Sequence, residues 1–461
     1  MKDEPEILAR AVVTECADCD ICRFLMDTSC LFFPELYRLW DREKDTGEKI
    51  TSGQLRALVD RCNFCALCPC PPVREKILRA KGAFIERDGL PGSVRVLEDV
   101  ALLGRVCGTF PRLTQAVFRH GGIGRAARRV LGIHGQRTLP AFPKIDFFRW
   151  AEKQGLCRRP SAKTGRNVAY FAGCTAGYLF PEVAQAAVGV LQACGVAVWV
   201  PPQRCCGMPT LLEGDRKQTL RSVRENLQTL AAAVSAGFDI VCSCPTCGYF
   251  LRTLLPEGAY YTQAYQQSVG AGARHIMVPD SSPRSTSEPV RSFHRYDRAI
   301  YDTLFKDEGI FSGIDAMQRI SVAEATQDLG AYLLHLSEEE LRFSAFSGGS
   351  GRILYFPPCH QREQKIGRPY ESLLSRIEGL RLEPIHGELY CCGMAGIMGF
   401  KAAFHDASLQ LGRRLMEKIR KIQPERIVTD CLSCRLQFEQ CLSYPVRHPV
   451  EMIRDAMQTG H

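Results

Sequence analysis

Short apolar runs alternate with stretches whose hydrophobic positions recur every three to four residues, and this alternation appears twice in the C-terminal part of the chain. In the first occurrence, Asn167–Phe171 (NVAYF), Val196–Val200 (VAVWV) and Asp239–Cys242 (DIVC) read as buried strands, with helices over Pro181–Ala193 and Arg216–Ser235 between them. In the second, strands are expected at Arg352–Phe356, Leu380–Pro384 and Arg426–Thr429, with one helix starting at Pro369 and another over Phe404–Ile422. Alternating strand and helix predicts a small parallel sheet in each, because parallel neighbours need a crossover connection. The fold class expected is α/β in this C-terminal half, two duplicated modules, preceded by a mainly α-helical head. Turn punctuation divides the chain into a head over 1–100, a connector over 101–166, a first module over 167–280, a variable stretch with a helix over 281–351 and a second module over 352–461.

Length and composition agree with several cores: the chain has 461 residues, of which 45% are hydrophobic. The opening Met-Lys-Asp-Glu-Pro-Glu lacks the basic and apolar regions of a secretory signal, so a cytoplasmic location is expected. No run of about 18 apolar residues occurs; the best candidate, 172–200, is broken by Glu182, Gln185 and Gln192.

The net charge of +9 is local, since 105–166 holds fourteen Lys and Arg against Asp146 and Glu152. Phe118, Ile123, Val130, Leu131, Phe147, Phe148 and Trp150 are woven through this basic stretch. Such a mixture suits anionic lipid, which would place the protein peripherally on the inner face of the cell membrane, or an acidic partner. The competing reading is a solvated connector. Nucleic acid is not expected, because no aromatic platform or binding module recurs. Gly121–Ala126 (GGIGRA) follows no strand, and Ser347–Gly351 (SGGSG) precedes one, so neither offers a dinucleotide site.

The 23 cysteines change the picture most. A reducing compartment argues against structural disulfides, which leaves metal or redox chemistry. Two head runs, Cys16, Cys19, Cys22 and Cys62, Cys65, Cys68, have the C-x-x-C-x-x-C spacing by which one loop grips three irons of a cubane. Fourth ligands come from the other run in two-cluster ferredoxins, so Cys70 is assigned to the first run and Cys30 to the second. The expected cofactors here are two 4Fe-4S clusters, and the head is expected to be ferredoxin-like; the usual spacing would instead put cysteine where Met26 and Pro72 stand. Paired zinc sites are the alternative.

In the modules the donors are Cys174, Cys205, Cys206, Cys244 and Cys247, then Cys359, Cys391, Cys392, Cys431 and Cys434, each just beyond a strand's carboxyl end. Partners are offset by 185, 186 and 187 residues, which marks a duplication. Strand carboxyl ends share one edge of a parallel sheet, where such folds bind ligands. Five thiolates exceed the four of a structural zinc and point to a polynuclear iron site or one with an exchangeable ligand, with a redox-active vicinal disulfide as the alternative. Cys107, Cys157, Cys194, Cys242 and Cys441 fall outside the pattern, although Cys242 could replace Cys244. His360 and His448 serve either packing or a hydrogen bond to a cluster sulfur.

The segments RCCGMP (Arg204–Pro209), SCPTCG (Ser243–Gly248), AEATQDLGAYLL (Ala323–Leu334), PPCHQREQKIGRP (Pro357–Pro369), CCGMAGIMGF (Cys391–Phe400) and TDCLSCRLQ (Thr429–Gln437) carry a resemblance. The chain resembles the iron–sulfur subunits with two C-C-G domains: the B subunit of heterodisulfide reductase, the C subunit of anaerobic glycerol-3-phosphate dehydrogenase and the iron–sulfur subunit of glycolate oxidase. The resemblance implies up to two further 4Fe-4S clusters, of noncubane type, on the ten module cysteines. It also implies an electron-transfer subunit that relays single electrons between a flavoprotein dehydrogenase and quinone, a membrane redox subunit or another carrier, the hydroxy acid or glycerol phosphate being handled by the partner. The alternative it offers is an enzyme that reduces a disulfide at its C-C-G clusters, and a non-redox zinc scaffold is a further one.

Overall fold

The computed structural model describes residues 4–65, 67–110, 112, 114, 121–160, 165–280, 292–336, 341, 343, 351–385 and 390–458. Its strands are β1 (Asn167–Phe171), β2 (Ala197–Trp199), β3 (Asp239–Cys242), β4 (His275–Pro279), β5 (Phe293–Asp297), β6 (Thr326–Asp328), β7 (Arg352–Tyr355), β8 (Arg381–Pro384), β9 (Arg426–Val428) and β10 (Val446–Arg447). They form two four-stranded sheets with parallel pairing throughout, in the orders β2-β1-β3-β6 and β8-β7-β9-β10, beside an antiparallel β4–β5 hairpin. The two orders are the same topology written twice. All five residues of β1 are buried, as a strand covered by helices on both faces requires.

The fourth strand of the first sheet, β6, lies in the stretch expected to be variable, so the first module draws on residues well beyond 280. β6 reads Thr-Gln-Asp and β10 is only two residues long, so neither gave an apolar run to detect. The crossover helices begin where local chemistry favours them. Pro181 opens Pro181–Ala193 at a position whose N–H has no intrahelical acceptor. Arg216–Ser235 is capped by Asp215, whose carboxylate accepts from the Gln218 N–H at 2.9 Å.

The modules pack against each other as a pseudo-twofold pair. The helix after β1, Pro181–Ala193, lies on the helix after β10, Pro449–Gln458; reciprocally, Pro369–Leu374, after β7, lies on Leu329–Leu334, after β6. Isologous pairing of this kind is how two copies of one surface bury each other. A single hydrophobic core therefore runs through both modules, joining Val168, Tyr170 and Val183 to Leu354, Tyr355 and Ile453.

Helices Pro5–Cys19, Phe32–Thr46, Ser52–Val59 and Pro71–Asp88 make up most of the head and enclose Val12, Val13, Phe32, Leu36, Leu58 and Ile77. Ser52–Val59 starts in a capping box between Thr51 and Gln54. The head core continues into the second module through Cys391 and Leu411.

The connector is pinned to the second module. Ile133 bridges Lys401, the His134 N–H donates to Phe400 O at 3.1 Å, and the Ala402 N–H donates to Gly132 O at 2.8 Å. This pinning corrects the proposed docking list. Phe147 is fully buried and meets Tyr170 edge to face at 5.7 Å, while Phe148 and Trp150 pack against the shared core and Leu131 is half-buried. Ile123 and Val130 do face solvent, at 65% and 77% exposure. Phe118 lies outside the described residues. Among the described residues no helix is long and apolar enough to cross a membrane.

Candidate metal centre

No disulfide forms among the described residues. Because the strands of each sheet are parallel, the turns after β1, β2 and β3 leave the same edge, and those after β7, β8 and β9 do likewise. In the first module Cys174 and Cys205 place their sulfurs 3.2 Å apart, Cys206 contacts both Cys205 and Cys247, and Cys247 contacts Cys244. In the second, Cys392 and Cys434 are 3.1 Å apart, Cys392 contacts Cys391, Cys434 contacts Cys431, and Cys359 lies within electrostatic reach of Cys431. The five expected thiols are thus brought together in each module. Among the described residues no group of three or more His, Cys, Asp or Glu side chains is arranged to hold a single metal ion; the thiols meet as pairs and short chains.

The duplication extends to protonation. The second thiol of each C-C-G pair is pushed down: Cys206 because Cys205 and Cys247 donate to it, Cys392 because Cys391 and Cys434 do. Their donors Cys247 and Cys434 are pushed up by the same contacts. In the first set Cys244 is pushed down as well, to about 7, because Cys247 donates to it.

Backbone freedom supplies the turns. Gly207 and Gly393 have φ of +108° and +87°, a left-handed conformation that suits glycine and turns the chain directly after the paired cysteines. Gly173, before Cys174, has φ +69°, and a Cβ there would stand 2.7 Å from Cys247 Sγ, so its bareness makes room for a thiol.

In the head, Cys70 lies within electrostatic reach of Cys16 and Cys22, and Cys30 within reach of Cys62 and Cys65. Cys68 in turn acts on Cys22, so the two groups are neighbours. Cys19 stands exposed at the end of the first helix. Burial pushes Cys16 and Cys68 up to about 12 and Cys62 up to about 11, so these thiols must lose protons when a metal binds.

The head and second module share a seam that the sequence did not reveal, where Cys65 contacts Cys391. Phe64, beside it, adopts φ +53°, a left-handed conformation that is costly for a bulky residue. His360, next to Cys359, holds this loop: its Nε2–H donates to Phe64 O at 3.0 Å, and its Nδ1 is 2.9 Å from Thr246 Oγ1, between Cys244 and Cys247. One imidazole thereby touches the head, the first module and the second. Burial lowers its pKa to about 4, which keeps it neutral. His448 is also fully engaged, its Nε2 facing Ser243 O at 3.1 Å and its Nδ1 accepting from the Val450 N–H at 3.0 Å. Both histidines serve packing and loop geometry, with no ring nitrogen left over for a sulfur. Cys242, at the end of β3, is buried in the apolar core that also holds Ile240 and Phe250.

One further residue was missed. Arg137, from the connector, is buried beside the second module with Nε and Nη1 unpartnered. An orphaned guanidinium beside a set of thiols fits an anionic, thiolate-held group better than neutral thiols. Nothing in a run of basic residues distinguishes this arginine from the solvated ones.

The Cysteine-rich domain family, named for its C-C-G motif, matches residues 168–252 and 353–439, so this domain is present twice. The C subunit of anaerobic glycerol-3-phosphate dehydrogenase of Escherichia coli (strain K12) is 24% identical over 364 residues, which cover 78% of this chain and 76% of the relative. The glycolate oxidase iron-sulfur subunit of the same organism is 22% identical over 302 residues, 65% of this chain and 60% of the relative. The B subunit of fumarate reductase (CoM/CoB) of Methanothermobacter marburgensis is 22% identical over 292 residues, 63% of this chain and 45% of the relative.

Proposed function

We propose that the chain is an iron–sulfur electron-transfer subunit of a dehydrogenase or respiratory redox complex, relaying single electrons between a flavoprotein partner and quinone or another carrier. The observation that carries this reading is the five-thiol set repeated at equivalent strand ends, with Cys65 of the head against Cys391 of the second set. Relatives named as an iron–sulfur subunit and as a subunit of an anaerobic dehydrogenase support it.

The ligands proposed are Cys16, Cys19, Cys22 and Cys70 for one 4Fe-4S cluster of a ferredoxin-like head, and Cys62, Cys65, Cys68 and Cys30 for the other. The five module thiols on each side would hold one further cluster of noncubane type. Such groups supply one-electron chemistry with little ligand movement. The protein's part is to fix the thiols, release their protons on loading and exclude water. Burial of Cys206, Cys247, Cys392 and Cys434 serves the last of these. The positions of Cys19 at the surface and Cys65 at the seam suggest that the head connects a partner to the modules.

Anaerobic purification, iron and sulfide analysis, and paramagnetic resonance across a redox titration test the reading. About eight to sixteen irons per chain with matching sulfide are expected for two to four such clusters, whereas stoichiometric zinc without sulfide overturns it. A peripheral association with anionic membrane is also proposed, through Ile123, Val130, Arg125 and Arg129 on the helix Ile123–Val130. Pelleting with phosphatidylserine vesicles should be strong at low salt and weak at high salt; equal pelleting at both removes the lipid contact.

The similarity to the B subunit of fumarate reductase (CoM/CoB) favours a second reading, a heterodisulfide-reductase-like enzyme. Viologen-driven disulfide reduction by the isolated, fully loaded chain would favour it over the relay.

A further inference from the structure

Arg137 belongs to the connector, yet its side chain has 0% exposure. Its Nη2 donates to Met394 Sδ at 2.6 Å and its guanidinium carbon lies 5.3 Å from the centre of the Phe400 ring, both residues of the second module. Nε and Nη1 have no partner, and no carboxylate pairs with this side chain among the described residues. Arginine keeps its proton inside proteins, and an uncompensated buried charge is among the costliest features a fold can contain.

The surroundings on one side offer no relief. His405 is 1% exposed with both ring nitrogens unpartnered, it stacks on His134 at 3.9 Å, and Arg128 donates to the Arg137 carbonyl at 2.7 Å. These groups are neutral or cationic. The acidic groups within electrostatic reach of Arg137 are the thiols of Cys441 and Cys392, and burial keeps Cys441 protonated. Cys392 is the member of its C-C-G pair on which two neighbouring thiols converge.

We propose that Arg137 is the buried countercharge of the second C-C-G thiol set and raises the reduction potential of the iron–sulfur group held there. The inference rests on the iron–sulfur reading above. Reduction adds negative charge to the group, and a fixed cation in a low-dielectric interior stabilises the reduced form more than the oxidised one. The connector is fastened to the second module by the Ile133–Lys401 bridge, so the effect belongs to one of the two duplicated sites.

Redox titration of the full-length loaded protein, with paramagnetic resonance, iron and sulfide measured, tests this on the parent chain, Arg137→Met and Arg137→Lys, with Cys392→Ala marking the second-module signal. In Arg137→Met that signal should move to lower potential by at least a tenfold change in its oxidised-to-reduced ratio, about 59 mV for one electron. The other signals should hold, and Arg137→Lys should recover most of the shift. Loss of the signal with its irons in Arg137→Met but not in Arg137→Lys supports the same conclusion, because charge is then what retains the group. An unchanged midpoint in Arg137→Met, or an equal shift or loss in both variants, overturns the proposal. Absence of iron and sulfide from the parent chain overturns the underlying reading and the inference with it, so the two failures are told apart.

Discussion

On the iron–sulfur reading, Cys392→Ala should remove about four irons per chain and reduce electron transfer through the second module to background. The expectation follows from its place in the thiol chain: Cys392 contacts Cys434 at 3.1 Å and Cys391, and Cys391 touches Cys65 of the head. Removing it both opens the second set and weakens its link to the head. The matching change Cys206→Ala should delete only the first module's signal, because Cys206 joins Cys205 to Cys247 within that module. Cys194→Ala, at a buried position outside the pattern, should leave iron content intact. Full iron retention in Cys392→Ala would remove that residue from the ligand set.

Gly393→Ala should be the most damaging single-methyl change in the modules. At φ +87° an added Cβ would stand 2.1 Å from Ser408 O and 2.9 Å from Gly412 N. Gly412 is equally tight, since a Cβ there would meet Cys392 O at 2.3 Å, so two glycines let the C-C-G turn lie directly on the helix His405–Ile422. Backbone strain of about 1–3 kcal/mol adds to overpacking of about 1–3 kcal/mol, and a loss of roughly 2–6 kcal/mol is expected from those two terms. At Gly207, φ is +108° but the nearest atom is Phe250 Cζ at 3.3 Å, a ring that can shift. Gly207→Ala should therefore cost only the backbone term, about 1–3 kcal/mol. Urea unfolding of the reduced, metal-free protein measures both; equal losses would show that the close backbone approach at Gly393 adds nothing.

These two glycines occupy the same motif and both turn the chain after the paired cysteines; the difference in their surroundings comes only from tertiary packing. The same division runs through the fold. Asn167–Phe171, Pro181–Ala193, Arg216–Ser235 and Asp239–Cys242 were legible with their observed ends, because each is a complete period or an unbroken apolar run. β6 and β10 were not, since Thr-Gln-Asp and Val-Arg carry no periodicity and are strands only through their neighbours β3 and β9. Within the site, duplication exposed the module thiols, and ferredoxin spacing suggested which partners Cys30 and Cys70 would approach. The seam between Cys65 and Cys391, and the burial of Arg137, depend on how the head and connector settle on the modules, which local pattern does not encode. Phe147, Phe148 and Trp150 illustrate the converse: beside basic residues they read as a docking face, yet they fill space against the shared core.

His360 bonds to Phe64 across 296 positions of the chain. A ribosome must therefore deliver most of the polypeptide before that joint can close, and until then the loop carrying Phe64 and Cys65 lacks that cover. On the iron–sulfur reading, loading of the head can therefore precede closure of the joint, which then covers the loop around Phe64. A chain lacking iron should accordingly be cut by proteases first around Phe64, and one already loaded should resist them there.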